Sequence, residues 1–420
     1  MTDKPQKRIV PAKVDVVVIG AGPSGAIASA LLRRAGVDVL VLERDSFPRF
    51  SIGESLLPQC MEYIEEAGFL PALRAAGFQY KNGAAFAWGE RTTYFNFEEK
   101  FSPGPGTTFQ VERARFDQLL AEQAEAQGVP IAYQHSVTSY APTADGVCLG
   151  YCDNEGNSGQ LDCRFVLDAS GFGRVLPRLL ELQTPSNFPV RQAAFAHIDD
   201  GIRDVNFDRN KILITVHPEE RDIWFWLIPF ANGKSSLGVV ASEEKLARRA
   251  AQSPLQLLQQ MVAETPSLAN VLHRAQWNYP ANQITGYSCN VKHLATDRYA
   301  LLGNAGEFLD PVFSSGVTIA MRSASKAVKV LLRQFNGERV DWQKEYEQPL
   351  RQGVETFRVF VDAWYEGLFQ DIIFYPDPAA NLREMISSIL AGYAWDTENP
   401  FVAQPRRRMK TLAQYCTPAA

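Results

Sequence analysis

The chain has 420 residues, of which 46% are hydrophobic and 21% are charged, with 42 lysines and arginines against 47 acidic residues. The net charge of −5 excludes a strongly basic nucleic-acid-binding protein, and the apolar fraction excludes a disordered chain. No apolar run approaches the roughly 18 residues of a membrane span. Residues 1–8 do not resemble a secretion signal, and the cysteines and histidines lack zinc spacing. We therefore expect a soluble, cytoplasmic protein with neither a transmembrane span nor a metal site.

The N-terminal segment predicts a βαβ unit. Residues 14–19 form a β-branched run that is typical of a buried parallel strand. Residues 26–35 have the apolar spacing of a helix that stops at Gly36, and residues 37–42 predict a second strand. The order strand, helix, strand is the unit from which dinucleotide-binding domains are built.

A glycine turn connects the first strand to the helix. Gly20 allows the tight turn, Gly22 lets a pyrophosphate approach, and Gly25 lets helix and strand pack closely, while Ser24 lies at the helix N-terminus. Glu43 ends the second strand, where a carboxylate can accept hydrogen bonds from a ribose. We predict dinucleotide binding, with a glycine turn that holds no ligand as the alternative.

The rest of the chain predicts two interleaved domains. We predict helices over 113–127 and 317–335, strands over 129–133, 146–153, 160–168 and 298–302, strand-like alternation over 190–240, and a mostly helical region from 336 to about 400. The predicted division is into FAD-binding segments 1–80 and 113–175, a substrate-side segment 81–112, an antiparallel-sheet substrate domain 176–295, an FAD- and halide-binding segment 296–335 and a helical C-terminal region 336–420.

Two later turns favour FAD over NAD. The runs ending in Asp168-Ala169-Ser170-Gly171 and Gly303-Asn304-Ala305 each follow a strand. They resemble FAD-contact segments of the single-component flavin monooxygenase fold, which usually has aspartate where this chain has Asn304. Because the chain has one GxGxxG, we expect electrons from transiently docked NAD(P)H or from a separate flavin reductase.

Three further features suggest a particular chemistry. Trp224 and Trp226 lie two positions apart in a strand-like run and therefore point to one face, as a rigid wall or as ordinary core. Ser315 and Gly316 begin a predicted helix, where their amides suit a small anion, or where a serine simply caps the helix. Lys81 has unusually apolar neighbours, although a surface lysine is the simpler interpretation.

Together these residues resemble the flavin-dependent halogenases, in particular the phenol and pyrrole branch. The resemblance extends from about residue 14 to 400. The chain is also similar to short bacterial flavoproteins that are labelled only as dehydrogenases. Its motifs are Trp-x-Trp-x-Ile-Pro at Trp224, Trp226, Ile228 and Pro229, Phe-x-x-Pro-x-x-Ser-x-Gly at Phe308, Pro311, Ser314 and Gly316, the segment 51–58, and Lys81 before Gly83-Ala84-Ala85.

The resemblance implies an α/β fold with a Rossmann-like FAD-binding domain, an interleaved antiparallel-sheet domain and a helical C-terminus. It also implies additional FAD contacts from Arg44, Ser55, Arg115 and Val137. Reduced FAD, O2 and a chloride or bromide ion held by Ser315 and Gly316 would give hypohalous acid. Lys81 would hold this oxidant, by a hydrogen bond or as a haloamine, and deliver it to the substrate, which Trp224 and Trp226 keep away from the flavin.

Phe313 stands where tryptophan halogenases, by the same resemblance, carry a glutamate. A substrate that is already electron-rich, such as a phenol or pyrrole, free or tethered to a carrier protein, needs no such carboxylate. Two alternatives remain open. One is a halide-independent FAD oxidoreductase that performs dehydrogenation, hydroxylation or alkene reduction, and the other is a flavin-binding scaffold without turnover.

Overall fold

The computed structural model describes residues 10–186, 188–249, 251–376 and 379–416. Residues 1–8, on which the expectation of no secretion signal depends, lie outside this set. Among the described residues no helix combines the length and apolarity needed to cross a membrane. The same residues contain no cluster of histidine, cysteine and carboxylate side chains that could hold a metal ion, and all six cysteines are described and unbridged.

The described residues form both strands and helices, and the chain after Leu301 is helical. The strands are β1 (Lys13–Ile19), β2 (Val39–Glu43), β3 (Gln79–Lys81), β4 (Gly83–Trp88), β5 (Arg91–Asn96), β6 (Thr108–Gln110), β7 (Ile131–Tyr133), β8 (His135–Pro142), β9 (Val147–Asp153), β10 (Ser158–Asp168), β11 (Gln183–Thr184), β12 (Arg191–Asp199), β13 (Lys211–Val216), β14 (Trp224–Pro229), β15 (Lys234–Ser242), β16 (Ala281–Thr285), β17 (Asn290–Val291) and β18 (Tyr299–Leu301). The helices are α1 (Pro23–Arg34), α2 (Cys60–Glu66), α3 (Leu70–Ala75), α4 (Arg113–Ala126), α5 (Val175–Leu179), α6 (Glu243–Ala247), α7 (Pro254–Ala263), α8 (Pro266–Val271), α9 (Gly316–Phe335), α10 (Gln348–Tyr365), α11 (Leu368–Ile373), α12 (Ala380–Leu390), α13 (Pro400–Ala403) and α14 (Pro405–Cys416).

The first sheet brings the ends of five parallel strands together. β1 pairs in parallel with β2 and β10, β7 adds beside β2, and β18 adds beside β10, while β8 and β9 extend the sheet as an antiparallel hairpin. Ile19 lies opposite both Leu42 and Asp168, and Asp168 lies opposite Leu301. The turns that follow these strands therefore meet at one edge, where ligands bind in open parallel sheets.

The second sheet is built from two separated parts of the chain. Its order is β16-β12-β15-β14-β13-β4-β5, and all pairs are antiparallel except β13 with β4. Trp226 faces Gly238 of β15, where a Cβ atom would lie 2.2 Å from the indole ring. The absence of a side chain at Gly238 therefore leaves the room that the indole occupies.

Helices cover both sheets. The long helix α9 packs against α1 beside the first sheet. The aromatic side chains of α10 and α11 pack with the second sheet, and Phe357, Phe360, Trp364 and Phe369 are fully buried. The predicted α/β class, with a second sheet inserted between the segments of the first, is confirmed by this architecture.

Candidate active site

A cavity of about 680 Å³ lies where the two sheets approach each other. The first sheet contributes the turns after β1, β2 and β10 to its lining, and the second contributes apolar side chains that include Phe195, Trp226 and Ile228. The start of α9 completes it through Gly316. A cavity of this size, with a polar end and an apolar end, is typical of a cofactor or small-molecule site.

The glycine turn forms the polar end of the cavity. Gly20 has φ +96°, a left-handed conformation that favours glycine. A Cβ atom at Gly25 would lie 1.9 Å from the carbonyl oxygen of Gly20, so helix α1 approaches the strand as closely as the motif predicts. Gly22 and Ser24 line the cavity, and the first amides of α1 have no acceptors within the helix. Phosphate oxygens fit this place because of the free amides and the helix dipole.

The carboxylate of Glu43 is fixed beside the turn. Its Oε2 accepts a hydrogen bond of 2.7 Å from the amide of Ala21, and its Oε1 accepts one of 2.9 Å from the amide of Asp45. Each carboxylate oxygen can accept a second bond, so both remain available to the hydroxyl groups of a ribose. The carboxylate is thereby oriented before any ligand binds.

The residues of the cavity fit FAD. Arg49 lines it next to Gly22, and its Nε lies 3.9 Å from Glu43 Oε1 and 4.0 Å from Asp45 Oδ2, so a positive charge stands beside the turn where ligand phosphates would lie. With the adenosine ribose at Glu43 and the pyrophosphate at the glycine turn, the flavin ring would reach the apolar end of the cavity. Val137, Arg44, Ser55 and Asn304 also line the cavity, as predicted for FAD contacts.

Several predicted FAD contacts lie behind the cavity wall instead. Asp168 is fully buried, its carboxylate accepts hydrogen bonds from the amides of Ser170 and Leu176, and burial raises its pKa. It therefore shapes the turn, and the backbone that follows it lines the cavity. Gly303 packs against α9, where a Cβ atom would lie 2.7 Å from that of Ala320, and Gly25 packs against Gly20. Asp168, Gly303 and Gly25 therefore shape the turns that line the cavity, and their direct contact with FAD stays a prediction.

Arg115, a predicted FAD contact, lies away from the cavity. Its guanidinium donates to the carbonyl of Ala76 and lies 5.1 Å from the ring of Phe78, in a separate surface depression. Arg113, two residues earlier in α4, lines the cavity and forms a two-pronged ion pair with buried Asp117. Two residues in a helix point about 200° apart, so only one of the two arginines can face the cavity. The i,i+4 spacing to Asp117 is the sequence signal that identifies Arg113.

We expect substitutions of Arg113 and Arg115 to differ in their effect on FAD affinity. Arg113→Lys retains a positive charge beside Asp117 but loses the planar fork, so FAD affinity should fall by roughly 10-fold. Arg115→Lys should leave FAD affinity unchanged, because its side chain is remote from the cavity. Fluorescence titration of the apoproteins with FAD measures both. An equal loss in the two variants would contradict the assignment of Arg113.

Lys81 lies inside the protein next to the cavity. Its side chain is 1% exposed, and its Nζ donates hydrogen bonds of 2.7 Å to Ser55 Oγ and to the carbonyl of Leu56. Phe97 covers the amine, with its ring centre 5.4 Å from Nζ. Lys81 does not itself line the cavity, but Ser55 does. The hydroxyl of Ser55 therefore stands between the cavity and the amine.

Burial changes the acid–base chemistry of Lys81. Desolvation lowers the pKa of the amine from 10.5 to about 7, against a small opposing effect of Cys60. The thiol of Cys60 is itself buried, and desolvation raises its pKa. A substantial fraction of the Lys81 amine is therefore neutral near pH 7, and a neutral amine is a nucleophile.

The two tryptophans share one face of β14, as predicted from their spacing. Their ring centres are 6.0 Å apart, with the ring planes inclined by 49°. Trp226 lines the cavity and its Nε1 donates to Ser236 Oγ at 3.1 Å. Trp224 is fully buried behind it and donates to the hydroxyl of Tyr365 at 3.1 Å. One indole thus forms cavity wall and the other supports it.

The turn before α9 contributes the remaining wall. Ser314 has φ +54°, in the left-handed region, and it lines the cavity together with Gly316. Ser315 is 3% exposed and does not line the cavity. Asp310 anchors the turn, because its carboxylate accepts bonds from the amide of Val312 and the hydroxyl of Tyr365. Of the two residues of the predicted anion site, Ser315 and Gly316, only Gly316 lines the cavity among the described residues.

Comparisons with known proteins agree with this geometry. A family model described as FAD binding domain matches residues 13–354. Flavin-dependent halogenase armH5 of Armillaria mellea is 30% identical over 348 residues, which cover 78% of this chain and 66% of that protein. The 1H-pyrrole-2-carbonyl-(peptidyl-carrier protein) chlorinase of Pseudomonas fluorescens is 26% identical over 401 residues, covering 88% of this chain and 87% of that protein. The chain thus spans about two thirds of the length of the first relative and most of the second.

A solved structure is similar over nearly the whole chain. The crystal structure of a flavoprotein/dehydrogenase from Cytophaga hutchinsonii has a TM-score of 0.93 and 42% identity, covering 96% of this chain and 98% of that one. The predicted resemblance to halogenases and to short flavoprotein dehydrogenases is confirmed by these matches.

Proposed function

This chain belongs to the FAD-binding enzyme family that contains the flavin-dependent halogenases, and on that premise we propose that it halogenates an electron-rich aromatic substrate. FAD is its cofactor, as the family match to residues 13–354 establishes. The proposed substrate is a phenol or a pyrrole, either free or tethered to a carrier protein. A separate flavin reductase would supply reduced FAD, and the free cysteines fit a reducing, cytoplasmic location.

Bound reduced FAD would supply the two electrons that activate O2, and O2 would then oxidise the halide to an electrophilic halogen species. The chain's own residues then have separate tasks. The amides of Ser315 and Gly316 would hold the halide at the start of α9, where the helix dipole favours an anion. Trp226, supported by Trp224, would keep the organic substrate away from the flavin. Lys81 would receive the halogen on its neutral amine and pass it to the substrate.

The observation that carries this proposal is the environment of Lys81. An isolated buried lysine is costly, and this amine has no carboxylate partner in the described residues, only two neutral acceptors. Its contact with Ser55 joins it to the cavity wall, and its lowered pKa makes it reactive. A purely structural role would be filled at lower cost by an apolar side chain.

The proposal is tested by product mass. The protein is incubated with a flavin reductase, NADH, FAD, O2 and chloride or bromide, together with a panel of phenols, free pyrroles and carrier-bound pyrroles. We expect a product shifted by the mass of a halogen, whose isotope pattern changes when bromide replaces chloride. Absence of any halogenated product from the whole panel, while O2 and NADH are consumed, would count against halogenation.

The pH dependence of halogenation should follow Lys81. Since the neutral amine is the form that accepts the halogen and burial lowers its pKa to about 7, the rate should rise about tenfold per pH unit below pH 7 and level off above it. Quenched product assays between about pH 5.5 and 8.5 measure this, with NADH-driven O2 consumption as the control. A halogenation rate that is flat across this range would exclude titration of Lys81 as the controlling step.

A second candidate function is a halide-independent FAD oxidoreductase. Two observations favour it, namely that Lys81 does not line the cavity and that the Cytophaga hutchinsonii protein, 42% identical, is described as a flavoprotein/dehydrogenase. The apolar end of the cavity could then hold the substrate directly beside the flavin. This candidate predicts product without halide, which the assay above detects when chloride and bromide are omitted.

A further inference from the structure

A buried histidine–glutamate pair lies at the cavity, outside the groups used above. Glu54 lines the cavity and is 2% exposed. Its Oε1 lies 2.6 Å from Nε2 of His197, a residue of β12 in the second sheet. This distance is that of a hydrogen bond, so the carboxyl group and the imidazole share one proton between Oε1 and Nε2.

The histidine connects this carboxylate to the outside of the protein. The side chain of His197 is 21% exposed, whereas that of Glu54 is 3% exposed. The imidazole is held in place by the rings of Phe50 and Phe230, whose centres lie 5.7 Å and 5.3 Å away. His197 therefore faces solvent and Glu54 faces the cavity, and the imidazole ring of His197 is fixed by its packing against the two phenylalanine rings.

The charged groups around His197 favour a bound proton. Burial lowers its pKa, but the hydrogen bond and the charge of Glu54 outweigh burial, so the pKa is raised above its ordinary value. Glu112 acts in the same direction, and Lys234 of β15 opposes them. These charges therefore favour a proton on the imidazole, which lies between solvent and the cavity-lining carboxylate.

The same short segment also carries the contact to Lys81. Glu54 and Ser55 are consecutive and both line the cavity. The backbone at this point is held by Gln110 and Val111, through a bridge at Ser55 and a hydrogen bond of 2.7 Å from the Val111 amide to the Glu54 carbonyl. Glu54 is thus placed by a fixed backbone rather than by a mobile loop.

We propose that Glu54 and His197 form a proton relay that carries protons from solvent to the group in the FAD cavity that takes them up. The proton on Nε2 of His197 moves to Oε1 of Glu54, and Glu54 releases it to a flavin nitrogen. Solvent then restores the proton on His197, so the pair returns to its starting state after each transfer. Two-electron reduction of a flavin takes up at least one proton. The reductant supplies the two electrons, and the relay supplies the proton. The inference uses only the FAD site and holds for halogenase and dehydrogenase alike.

The first test is a histidine titration by NMR. The FAD-loaded protein is labelled with 15N-histidine, and the His197 signal is identified by its loss in His197→Gln. Because coupling between sites is reciprocal, we expect the His197 pKa to change when the bound FAD is reduced with dithionite. In Glu54→Gln the His197 pKa should fall. A His197 titration that is identical with oxidised and reduced FAD would overturn the relay.

The second test is the rate at which bound FAD is reduced by dithionite under anaerobic conditions, followed by its absorbance. His197→Gln keeps a donor toward Glu54 but cannot exchange a proton at this pH, so the rate should fall by about 100-fold and lose its pH dependence. The matched control is His217→Gln, since His217 faces Glu264 at 3.7 Å away from the cavity. An equal effect in both variants, or a rate unchanged in His197→Gln while FAD affinity is retained, would contradict the proposal. These outcomes are independent of whether any halogenated product forms.

Discussion

Replacing Lys81 by methionine is expected to lower halogenated product by at least about 1,000-fold, while FAD binding and NADH-driven O2 consumption persist. The expected loss is large because the amine would form the bond to the halogen, and a thioether side chain cannot replace it. Product is measured by mass spectrometry in the presence of a flavin reductase and chloride or bromide. FAD affinity is measured on the same preparations by fluorescence titration.

The folding effect of this substitution must be separated from the chemical effect. Lys81→Met leaves the carbonyl of Leu56 without its donor, which costs about 1–3 kcal/mol of unfolding free energy. Removal of a buried amine offsets part of this cost. Comparison of the Tm values of the wild type and the variant shows whether the fold is kept.

The matched control for Lys81 is Lys211. Its amine is also largely buried and hydrogen-bonded, but to Asn82 and Asp208, and it does not line the cavity. Lys211→Met should therefore retain halogenation. If Lys81→Met retained full product formation, the buried amine would have no part in the chemistry. If neither the wild type nor Lys81→Met formed halogenated product, but both oxidised a substrate without halide, the dehydrogenase candidate would stand.

Alanine at Gly25 should abolish FAD binding, and alanine at Gly22 should weaken it by roughly 10- to 100-fold. At Gly25 the new Cβ atom would lie 1.9 Å from the carbonyl oxygen of Gly20, so α1 must move away from the strand. Overpacking of this kind costs about 1–3 kcal/mol or more and displaces the phosphate-binding amides. At Gly22 the nearest atom is a guanidinium nitrogen of Arg49 at 3.4 Å, which can move aside. Gly22→Ala should therefore fold normally, and only its FAD affinity should fall, because the pyrophosphate cannot approach the turn as closely.

These two glycine variants are compared by FAD content after gel filtration and by Tm with and without added FAD. Ser29→Ala is the control, because Ser29 lies in the same helix and its hydroxyl donates a hydrogen bond to the carbonyl of Ala26, within that helix. We expect full FAD content in Ser29→Ala. Gly22→Ala should have a low FAD content and a near-normal apoprotein Tm. Gly25→Ala should have both a low FAD content and a lowered apoprotein Tm. Full FAD content in Gly25→Ala would show that the turn has more room than the structure indicates.

Local sequence alone was enough to predict a dinucleotide-binding turn. The β-branched run of β1, the glycine turn and Glu43 lie within about thirty residues, and each imposes a backbone requirement that few other arrangements satisfy. The shared face of Trp224 and Trp226 also followed from sequence, because side chains alternate along a strand. These features depend on neighbours in the chain, so periodicity and turn chemistry reveal them.

Tertiary structure decided which polar side chains face the cavity. Arg113 rather than Arg115 lines it because the orientation of α4 is set by its packing against α1 and α3. The Asp168 carboxylate accepts hydrogen bonds from the amides of its own turn. The burial of Lys81 against Ser55 and the pairing of Glu54 with His197 join residues 26 and 143 positions apart. Such contacts leave no trace in local periodicity, because desolvation and distance arise only when separate segments meet in the folded chain.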